Sequence, residues 1–479
     1  MSPSNGKTLK KTTRTFKPQF QFINSTEPGR NKDPAVRKLI RRHVRHENYS
    51  RSRWNCSADA LKRTPRSNTE AKTLLVPPLL GDPSALSTYC YPLNMSPETH
   101  ALLEQYLTHA TNRMYSKCRF KSSPFRSPIW FHFAVTDPAM LHGVLYAGAV
   151  YLALLQGRRE TRDTIYHQSE AISIVQKRLA TSDYNFEDST LGTISCLALG
   201  EAILGNQHHW HLHMQGLKQI IRERGDLPSL DPLLRAKLRR ADVTGAIDYG
   251  ATPYLEFERS TDKSIWSILP TGTLQTIRED MTELLAVCGV HPSLISTMIN
   301  LAYFSHAIQE NNTKRVCFDP IAFSDDLYWI EHDLLCFPIT LSTNIPGTNL
   351  DKALRFGALL YTKTILQEFP NSMTGPTILL ARLQESLSEI SISESVTTSI
   401  TPLLGLLSLI GGMLSRGEGR DWFVAHLRVV RNANRVTSFD ELAGGLNRLL
   451  CLGSVFENAC EAIWLDIANN AGSRGDQER

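Results

Sequence analysis

From about residue 98 onward, hydrophobic residues recur mostly every three or four positions, and alternation of apolar and polar residues is scarce. This spacing places apolar side chains on one face of an α-helix and argues against β-strands. Gly and Pro separate the periodic segments, as expected where helices end. The pattern predicts helices over the ranges 98–118, 137–157, 159–180, 188–205, 208–225, 231–250, 291–311, 349–369, 401–417 and 419–436.

One periodic segment, 188–205, is apolar on nearly all sides, which is typical of a helix at the centre of a helical core. A Ser- and Glu-rich stretch, 385–399, is expected to form a surface loop or a helix end. The sequence has no repeat of fixed period. The pattern therefore predicts an all-α domain over 97–470, built as a large array of packed helical pairs, and a disordered tail at 471–479.

The first 96 residues have a different pattern. Residues 1–19 are rich in Lys, Ser and Thr and lack periodicity, which predicts disorder. Between about 33 and 50, apolar residues recur at helical spacing among basic ones, and Asp33 followed by Pro34 is a typical helix start. We therefore expect a basic, partly disordered N-terminal arm over 1–66 with one short amphipathic helix, followed by a Pro-rich linker over 67–96.

Charge separates this arm from the rest of the chain. Residues 1–66 hold 17 of the 52 Lys and Arg residues but only 4 of the 47 Asp and Glu residues. The arm is therefore strongly basic, and the remainder of the chain is mildly acidic. This layout is typical of a protein that meets nucleic acid, a nuclear receptor or another acidic surface, although a solvated disordered tail has the same composition.

The basic arm supplies the first candidate functional residues. If the five cations between 37 and 45 all met phosphate, the logarithm of the affinity for duplex DNA would fall with that of the salt concentration with a slope of about −4.5. That is enough for weak nonspecific binding, and no motif that reads base edges is recognisable. Nuclear import could use the same side chains. The candidates for import or phosphate contact are Lys10, Lys11, Arg37, Lys38, Arg41, Arg42 and Arg45.

Several classes of protein are not expected. The nine cysteines include no Cys-x-x-Cys pair, which argues against a zinc module and for a reducing compartment. The N-terminus lacks the apolar core of a signal peptide, and the apolar stretches 143–155 and 403–414 are shorter than the roughly 18 residues of a membrane span. Motifs of hydrolases and nucleotide-binding proteins are missing. We expect no enzyme, no cofactor and no membrane.

The run QHHWHLH at 207–213 is the main candidate for metal chemistry. On a helix, His209 and His213 lie one turn apart on one face, and His208 and His211 lie on another, so at best a pair could bind one ion. A metal-dependent enzyme using His209 and His213 therefore stays as the alternative to a regulator. The Gly-rich segment 411–420 is expected to be a turn between helices rather than a phosphate site.

Two stretches of the sequence resemble the fungal-specific transcription factor domain family, the helical regulatory region of binuclear zinc-cluster activators. The first resembles a segment near the N-terminus of fungal transcription-factor-like proteins and comprises Phe22, Ile23, Asn24, Lys32, Asp33, Pro34, Arg37, Lys38, Ile40, Arg41, His43, Val44, Arg51 and Arg53. The second resembles the signature helix of the domain and its sequel and comprises Trp210, His213, Gly216, Leu217, Ile220, Ile221, Arg224, Gly225, Asp242, Ala246 and Pro253. With Arg420, Asp421 and Trp422, the likeness covers about 20–54 and 98–440.

The resemblance implies a nuclear regulator of transcription in a fungus, governing a metabolic or secondary-metabolite pathway. It also implies packing roles for the residues of the signature helix, namely Trp210, His213, Gly216, Arg224 and Gly225. One departure is that the first 95 residues contain only Cys56 and Cys90, so the six-cysteine zinc cluster of these activators is lacking.

The chain is therefore expected to act through partners, either other transcription regulators or a nuclear import receptor. The sequence leaves homodimer and heterodimer both open. The third alternative is a cytoplasmic helical interaction protein.

Overall fold

The computed structural model describes most of the chain after residue 90. All of the described residues belong to one compact unit, Leu79–Arg479. The basic arm, its predicted helix at about 33–50, the linker up to residue 90 and the tail at 471–479 lie outside the described residues. The described ranges are 91–116, 119–121, 133–134, 136–181, 187–225, 227–256, 259, 263–314, 317–337, 348–366, 376–390, 397–434, 438, 449–450 and 459–467.

The described part of the chain is helical, with no β-strand and one isolated bridge between Phe120 and Phe318. The predicted all-α class is therefore confirmed. The helices are α1 (Pro97–Gln105), α2 (Thr111–Met114), α3 (Pro138–Leu155), α4 (Arg162–Leu179), α5 (Asp188–Leu204), α6 (Gln207–Arg224), α7 (Pro232–Tyr249), α8 (Thr271–Val287), α9 (Pro292–Lys314), α10 (Pro320–Cys336), α11 (Thr348–Lys363), α12 (Thr377–Ser388), α13 (Thr397–Leu414) and α14 (Glu418–Asn434). A π-helical turn (Tyr106–Ala110) joins α1 to α2, and a 3₁₀ turn (Ile265–Ile268) precedes α8.

These helices pack mainly against their neighbours in the sequence. The closest pairs are α3 with α4 and α5, α5 with α6 and α7, α8 with α9, α11 with α12, and α13 with α14. Helix α7 also contacts α10 and α12. It therefore connects the helices that precede it, α1 to α6 (the N-terminal group), with those that follow it, α8 to α14 (the C-terminal group). The predicted array of packed helical pairs is confirmed, with α7 shared between its two groups.

Asp-Pro pairs mark several helix starts. Asp137 precedes Pro138 at the start of α3, and its carboxylate accepts a hydrogen bond from Met140 N at 2.9 Å. Asp231 and Asp319 do the same for α7 and α10, which also begin with Pro. The aspartate satisfies free N–H groups of the first turn, and Pro has no N–H to leave unpaired. The local sequence therefore determines where these three helices begin.

Helices α3 and α5 form the centre of the N-terminal group. Helix α5 is buried along almost its whole length, as its apolar pattern predicts. Helix α3 is long and apolar enough to span a membrane, but 83% of its 18 residues are buried inside the protein, as in a core helix. The two helices cross closely at Gly200, where a Cβ atom would lie 2.3 Å from Cε1 of Tyr146.

Three helices are not among the predicted segments. Helix α8 begins after Pro270 without a side-chain cap, and its buried residues Ile277, Met281 and Leu285 form only a narrow apolar stripe. Helix α10 does carry the Asp-Pro start at Asp319, so that signal could have located it. Helix α12 contains residues 385–388 of the predicted loop 385–399, and the start of α13 contains residues 397–399. Residues 391–396 of that loop lie outside the described residues.

Candidate functional site

The signature helix is α6, which begins after Asn206 and ends at Gly225. Its buried residues are Trp210, Met214, Leu217, Ile220 and Ile221. They recur at intervals of three or four and so form a single face toward the core. Gly225 has φ of +112°, a backbone conformation that residues with a Cβ rarely adopt, which explains glycine at the helix end.

Trp210 anchors this helix to α7. Its side chain is fully buried, and its indole Nε1 donates a hydrogen bond to Ala241 O at 2.9 Å. The ring lies directly against Gly245, where a Cβ atom would fall 2.1 Å from Cε2 of the indole. The signature tryptophan therefore occupies a space that exists because α7 has glycine at this position.

Asp242, the next signature residue, holds the chain that follows α7. Its carboxylate accepts hydrogen bonds from Tyr254 N at 2.9 Å and from Leu255 N at 2.8 Å. The side chain is 1% exposed, and burial raises its pKa to about 7 although these two N–H groups favour the charged form. The Tyr254 ring contacts Trp210 edge-on with centroids 5.7 Å apart. Asp242 thus fastens the segment 251–255 over the tryptophan.

The four histidines of the run 207–213 have different surroundings. His211 Nδ1 lies 2.6 Å from the Tyr254 hydroxyl, and His209 Nδ1 lies 3.4 Å from Glu201 Oε2. Burial lowers the pKa of His213 to about 4, so its imidazole is neutral at physiological pH. His208 is exposed. Glu201 and His209 both act on the charge of His213, and His208 acts on that of His211, so the rings interact in pairs.

Glu201 is the residue of this region that the sequence reasoning missed. It lies near the end of the apolar helix α5 and is 1% exposed. Its carboxylate accepts hydrogen bonds from the amides of Gln168 on α4 and Asn206, the latter at 2.7 Å, and it also meets His209 on α6. It therefore joins three helices. An acidic residue inside an apolar helix is the sequence signal that could have identified it.

The remaining signature residues also have structural surroundings. Arg224 Nη1 lies 2.5 Å from Asp188 Oδ1, linking the end of α6 to the start of α5. A Cβ atom at Gly216 would meet no other atom within 4 Å, so its neighbours leave room for a side chain. With Trp210, His213 and Gly225, these residues lie along α6.

The Gly-rich segment 411–420 is a turn between helices, as predicted, because α13 ends at Leu414 and α14 begins at Glu418. Arg420 donates hydrogen bonds to Asp466 Oδ2 and, at 3.2 Å, to Gly412 O. Arg420 therefore ties the turn to the helical residues 459–467 by an ion pair.

The chemistry available to this region is that of packing and hydrogen bonding. Within the described ranges, no group of three or more His, Cys, Asp or Glu side chains is placed to hold a metal ion. The contacts of the signature residues instead join α5, α6, α7 and the segment after α7. We conclude that Trp210, Arg224 and Asp242 join neighbouring elements of the helical domain, whereas the space beside Gly216 is open.

Comparison with known proteins supports the resemblance drawn from the sequence. Residues 101–444 match the family described as the fungal specific transcription factor domain, close to the predicted extent of 98–440. No curated protein and no solved structure matches the chain. The matched residues include the whole signature helix, α7 and the turn before α14. Because the match spans well over half of the 479 residues, the chain belongs to the fungal-specific transcription factor domain family.

Proposed function

We propose that this protein is a nuclear regulator of transcription in a fungus, governing a metabolic or secondary-metabolite pathway through protein partners. The observation that carries the proposal is the family match over residues 101–444. Members of a transcription factor family are expected to act as regulators rather than as enzymes. We propose two kinds of partner. One is another transcription regulator, bound in a homodimer or a heterodimer, and the other is a nuclear import receptor.

The contacts of the signature residues support a scaffold rather than a catalyst. Trp210 is buried against α7, and Asp242 uses its carboxylate to bind two backbone N–H groups. Side chains that are fully occupied in holding helices together are not available to a substrate. The regulatory role is therefore assigned to surfaces and pockets of the helical domain, not to the signature helix itself.

The charge of the chain supports a division of labour. The N-terminal arm carries an excess of positive charge, and the helical domain behind it is mildly acidic. In our proposal the arm directs nuclear entry. It also makes weak nonspecific contact with DNA, because the phosphate backbone attracts any basic segment. Without a recognisable zinc cluster in this sequence, the choice of promoter comes from the partners.

A reporter assay tests the regulatory role. The full chain is fused to an unrelated DNA-binding domain and directed to a reporter promoter in a fungal cell. We expect reporter output to rise or fall severalfold relative to the DNA-binding domain alone. Unchanged output in the presence of well-expressed fusion protein would contradict the proposal.

Nuclear entry is tested by a fluorescent fusion of the same chain. We expect accumulation in the nucleus, and loss of it when Lys10, Lys11, Arg37, Lys38, Arg41, Arg42 and Arg45 are replaced by Gln. The matched control replaces three exposed arginines of the helical domain, Arg158, Arg159 and Arg162, and should stay nuclear. Exclusion of the unmodified fusion from the nucleus would favour the cytoplasmic alternative.

A further inference from the structure

Exposed hydrophobic side chains are concentrated around α4. Among the described residues, nine large hydrophobic side chains are exposed, and four of these belong to α4 or to the last residue of α3. They are Leu155, Ile165, Tyr166 and Leu179. Scattered exposed hydrophobic residues are ordinary on a protein surface, whereas a group of them on one element marks an interaction site. The exposed side of α4 is therefore a candidate surface for a partner.

The core of the chain does not account for all the apolar residues of α4. The residues that it buries are Thr164, His167, Ala171 and Val175. A second row, called here the apolar row, borders the solvent and consists of Ile165, Ile172 and Leu179. These residues are seven positions apart, and a heptad spacing drifts by only about 20° per repeat around a helix. Ile165 and Leu179 are 52% and 44% exposed, so the apolar row has surface left for another molecule.

A charged row borders the exposed side of α4 on its other edge. It comprises Asp163, Glu170 and Lys177, which are again seven positions apart and are all exposed. At 3.6 residues per turn, Ser169 and Ser173 lie between the two rows. Within the described part of the chain, neither Asp163 nor Lys177 forms an ion pair, so their charges are available to a partner.

The two rows distinguish the ways in which two copies of α4 could pair. In a parallel pair with two-fold symmetry, the charged row of each copy would face the apolar row of the other. In an antiparallel pair, the apolar row faces the apolar row and the charged row faces the charged row. Only the antiparallel pair therefore gives the self-complementary contact that a two-fold symmetric interface requires.

The charges also match in the antiparallel pair. From the N-terminal end, the charged row is negative, negative and positive. Reversing the direction of one copy brings Asp163 of each copy beside Lys177 of the other, so that two ion pairs form by symmetry. Glu170, at the centre, lies beside Glu170 of the second copy. The charged row thus places one opposite-charge pair at each end and one like-charge pair in the middle.

The apolar row has the same symmetry. Its middle residue, Ile172, lies beside Ile172 of the second copy, and Ile165 lies beside Leu179 of the second copy at each end. The centres of the two rows are Ile172 and Glu170. A two-fold axis level with Ala171 is therefore only about 1.5 Å along the helix from the centre of either row. One arrangement serves both rows.

We propose that this protein forms a symmetric homodimer in which the exposed side of α4 packs antiparallel against α4 of a second copy. The apolar rows exclude water from the contact, and the two ion pairs set its direction. This proposal selects the homodimer among the partners of the proposed function, and the use of the dimer in regulation rests on that function. The self-association itself is measured without it.

The contact is small for a protein interface. Helix α4 has 18 residues and is about 27 Å long, whereas a standard interface buries roughly 800 Å² on each partner. Because one helix from each copy makes the contact, we expect a weak dimer with a dissociation constant of about 1–100 μM. Exposed ion pairs add little affinity, so they determine the orientation more than the strength.

Analytical ultracentrifugation of the purified full-length protein between about 1 and 200 μM tests the dimer. We expect a reversible equilibrium between monomer and dimer. Ile165→Glu places a charge in the apolar row and should weaken the dimer about tenfold or more. Val429→Glu is the matched control, because Val429 of α14 is also 52% exposed, and it should leave the dissociation constant unchanged. A protein that stays monomeric throughout this range, or an equally stable dimer of Ile165→Glu, would overturn the proposal.

Charge reversal at low salt, where exposed ion pairs are strongest, tests the antiparallel direction. Asp163→Lys brings two lysines together at both ends of the contact, and Lys177→Asp brings two aspartates together there. Each variant alone should therefore dimerise severalfold more weakly. An equimolar mixture of the two should form a heterodimer that is severalfold more stable than either homodimer, because each pair again joins opposite charges. Unchanged dimerisation of both single variants would exclude the antiparallel contact.

The reporter assay separates this inference from the proposed function. If the protein dimerises but the fusion leaves reporter output unchanged, the dimer stands and the proposed function fails. If the fusion changes reporter output but the purified protein stays monomeric, the regulator stands and the dimer fails.

Discussion

The indole of Trp210 lies against Gly245 so closely that a methyl group at position 245 would fall 2.1 Å from Cε2 of the ring. This contact explains two separated elements of the family signature at once. The tryptophan of one helix and the helix that contains Asp242 and Ala246 fit together only because a residue between the latter two has no side chain. In this chain, the buried position of Trp210 thus depends on glycine at position 245.

Gly245→Ala should destabilise the protein. The added methyl group must displace a fully buried indole and its hydrogen bond to Ala241 O, and overpacking of this kind costs about 1–3 kcal/mol. The free energy of unfolding in urea measures the loss. Gly216→Ala is the matched control in a neighbouring helix, because its methyl group meets no atom within 4 Å and alanine is the better helix former. It should be neutral or stabilising by up to about 1 kcal/mol.

Glu201→Gln should also destabilise the protein. The glutamate accepts hydrogen bonds from both Gln168 and Asn206, whereas glutamine would point an N–H₂ group at one of these donors. An unsatisfied buried donor costs about 1–3 kcal/mol. Glu223→Gln, on the exposed face of α6, should change the stability by less than about 0.5 kcal/mol. Equal effects of the two substitutions on the urea midpoint would contradict the role of Glu201.

The buried pair His142 and His167 should make stability depend on acid pH. Their Nδ1 atoms lie 3.0 Å apart, so one ring donates to the other, and the accepting ring is neutral in the folded protein. Burial lowers the pKa of His142, and burial together with His142 lowers the pKa of His167 to about 4, whereas an unfolded His titrates near 6.5. The unfolded state therefore binds more protons, and the contribution of the pair is full above pH 6.5 and is lost as the pH falls toward 4.

Comparison with His167→Phe isolates this effect from the other titrating groups. The variant keeps an aromatic ring at position 167 but has no imidazole there that could bind a proton in the unfolded state. We expect its free energy of unfolding to fall less steeply than that of the unmodified protein between pH 6.5 and 4. Parallel pH profiles of the two proteins would exclude a buried neutral pair.

The arm should bind random duplex DNA weakly and in a salt-dependent way. If all five cations between 37 and 45 contact phosphate, a plot of the logarithm of the association constant against the logarithm of the salt concentration should have a slope of about −4.5. Replacing Arg37, Lys38, Arg41, Arg42 and Arg45 by Gln should abolish that dependence in fluorescence anisotropy. Tight, sequence-selective binding by the chain alone would contradict the assignment of promoter choice to partners.

Elemental analysis tests the alternative of a metal-dependent enzyme. In the structure, His209 Nδ1 lies 3.4 Å from Glu201 Oε2, and among the described residues no group of three or more His, Cys, Asp or Glu side chains is placed to hold a metal ion. We expect purified protein to contain no stoichiometric zinc or iron. Stoichiometric metal that disappears in His213→Ala would restore the enzyme hypothesis.

The sequence predicts local structure well where the chemistry is local. The start of α3 follows from Asp137 and Pro138, and the central position of α5 follows from its apolar residues. The role of Glu201 could not be predicted in this way. Glu201 meets Gln168 across 33 positions, and Arg239 meets Asp325 across 86, so these contacts depend on how the helices pack. Helix α8 escapes prediction because its buried residues Ile277, Met281 and Leu285 form only a narrow apolar stripe.

The position of α7 between the two groups of helices limits how this protein can be dissected. A fragment that stops before Pro232 would expose the surfaces of α5 and Trp210 that pack against α7. A fragment that begins at Pro232 would expose the surface of α7 that packs against them. Both fragments would expose large apolar faces and would attract chaperones and unrelated proteins nonspecifically. Searches for regulatory partners should therefore use the undivided helical body as bait.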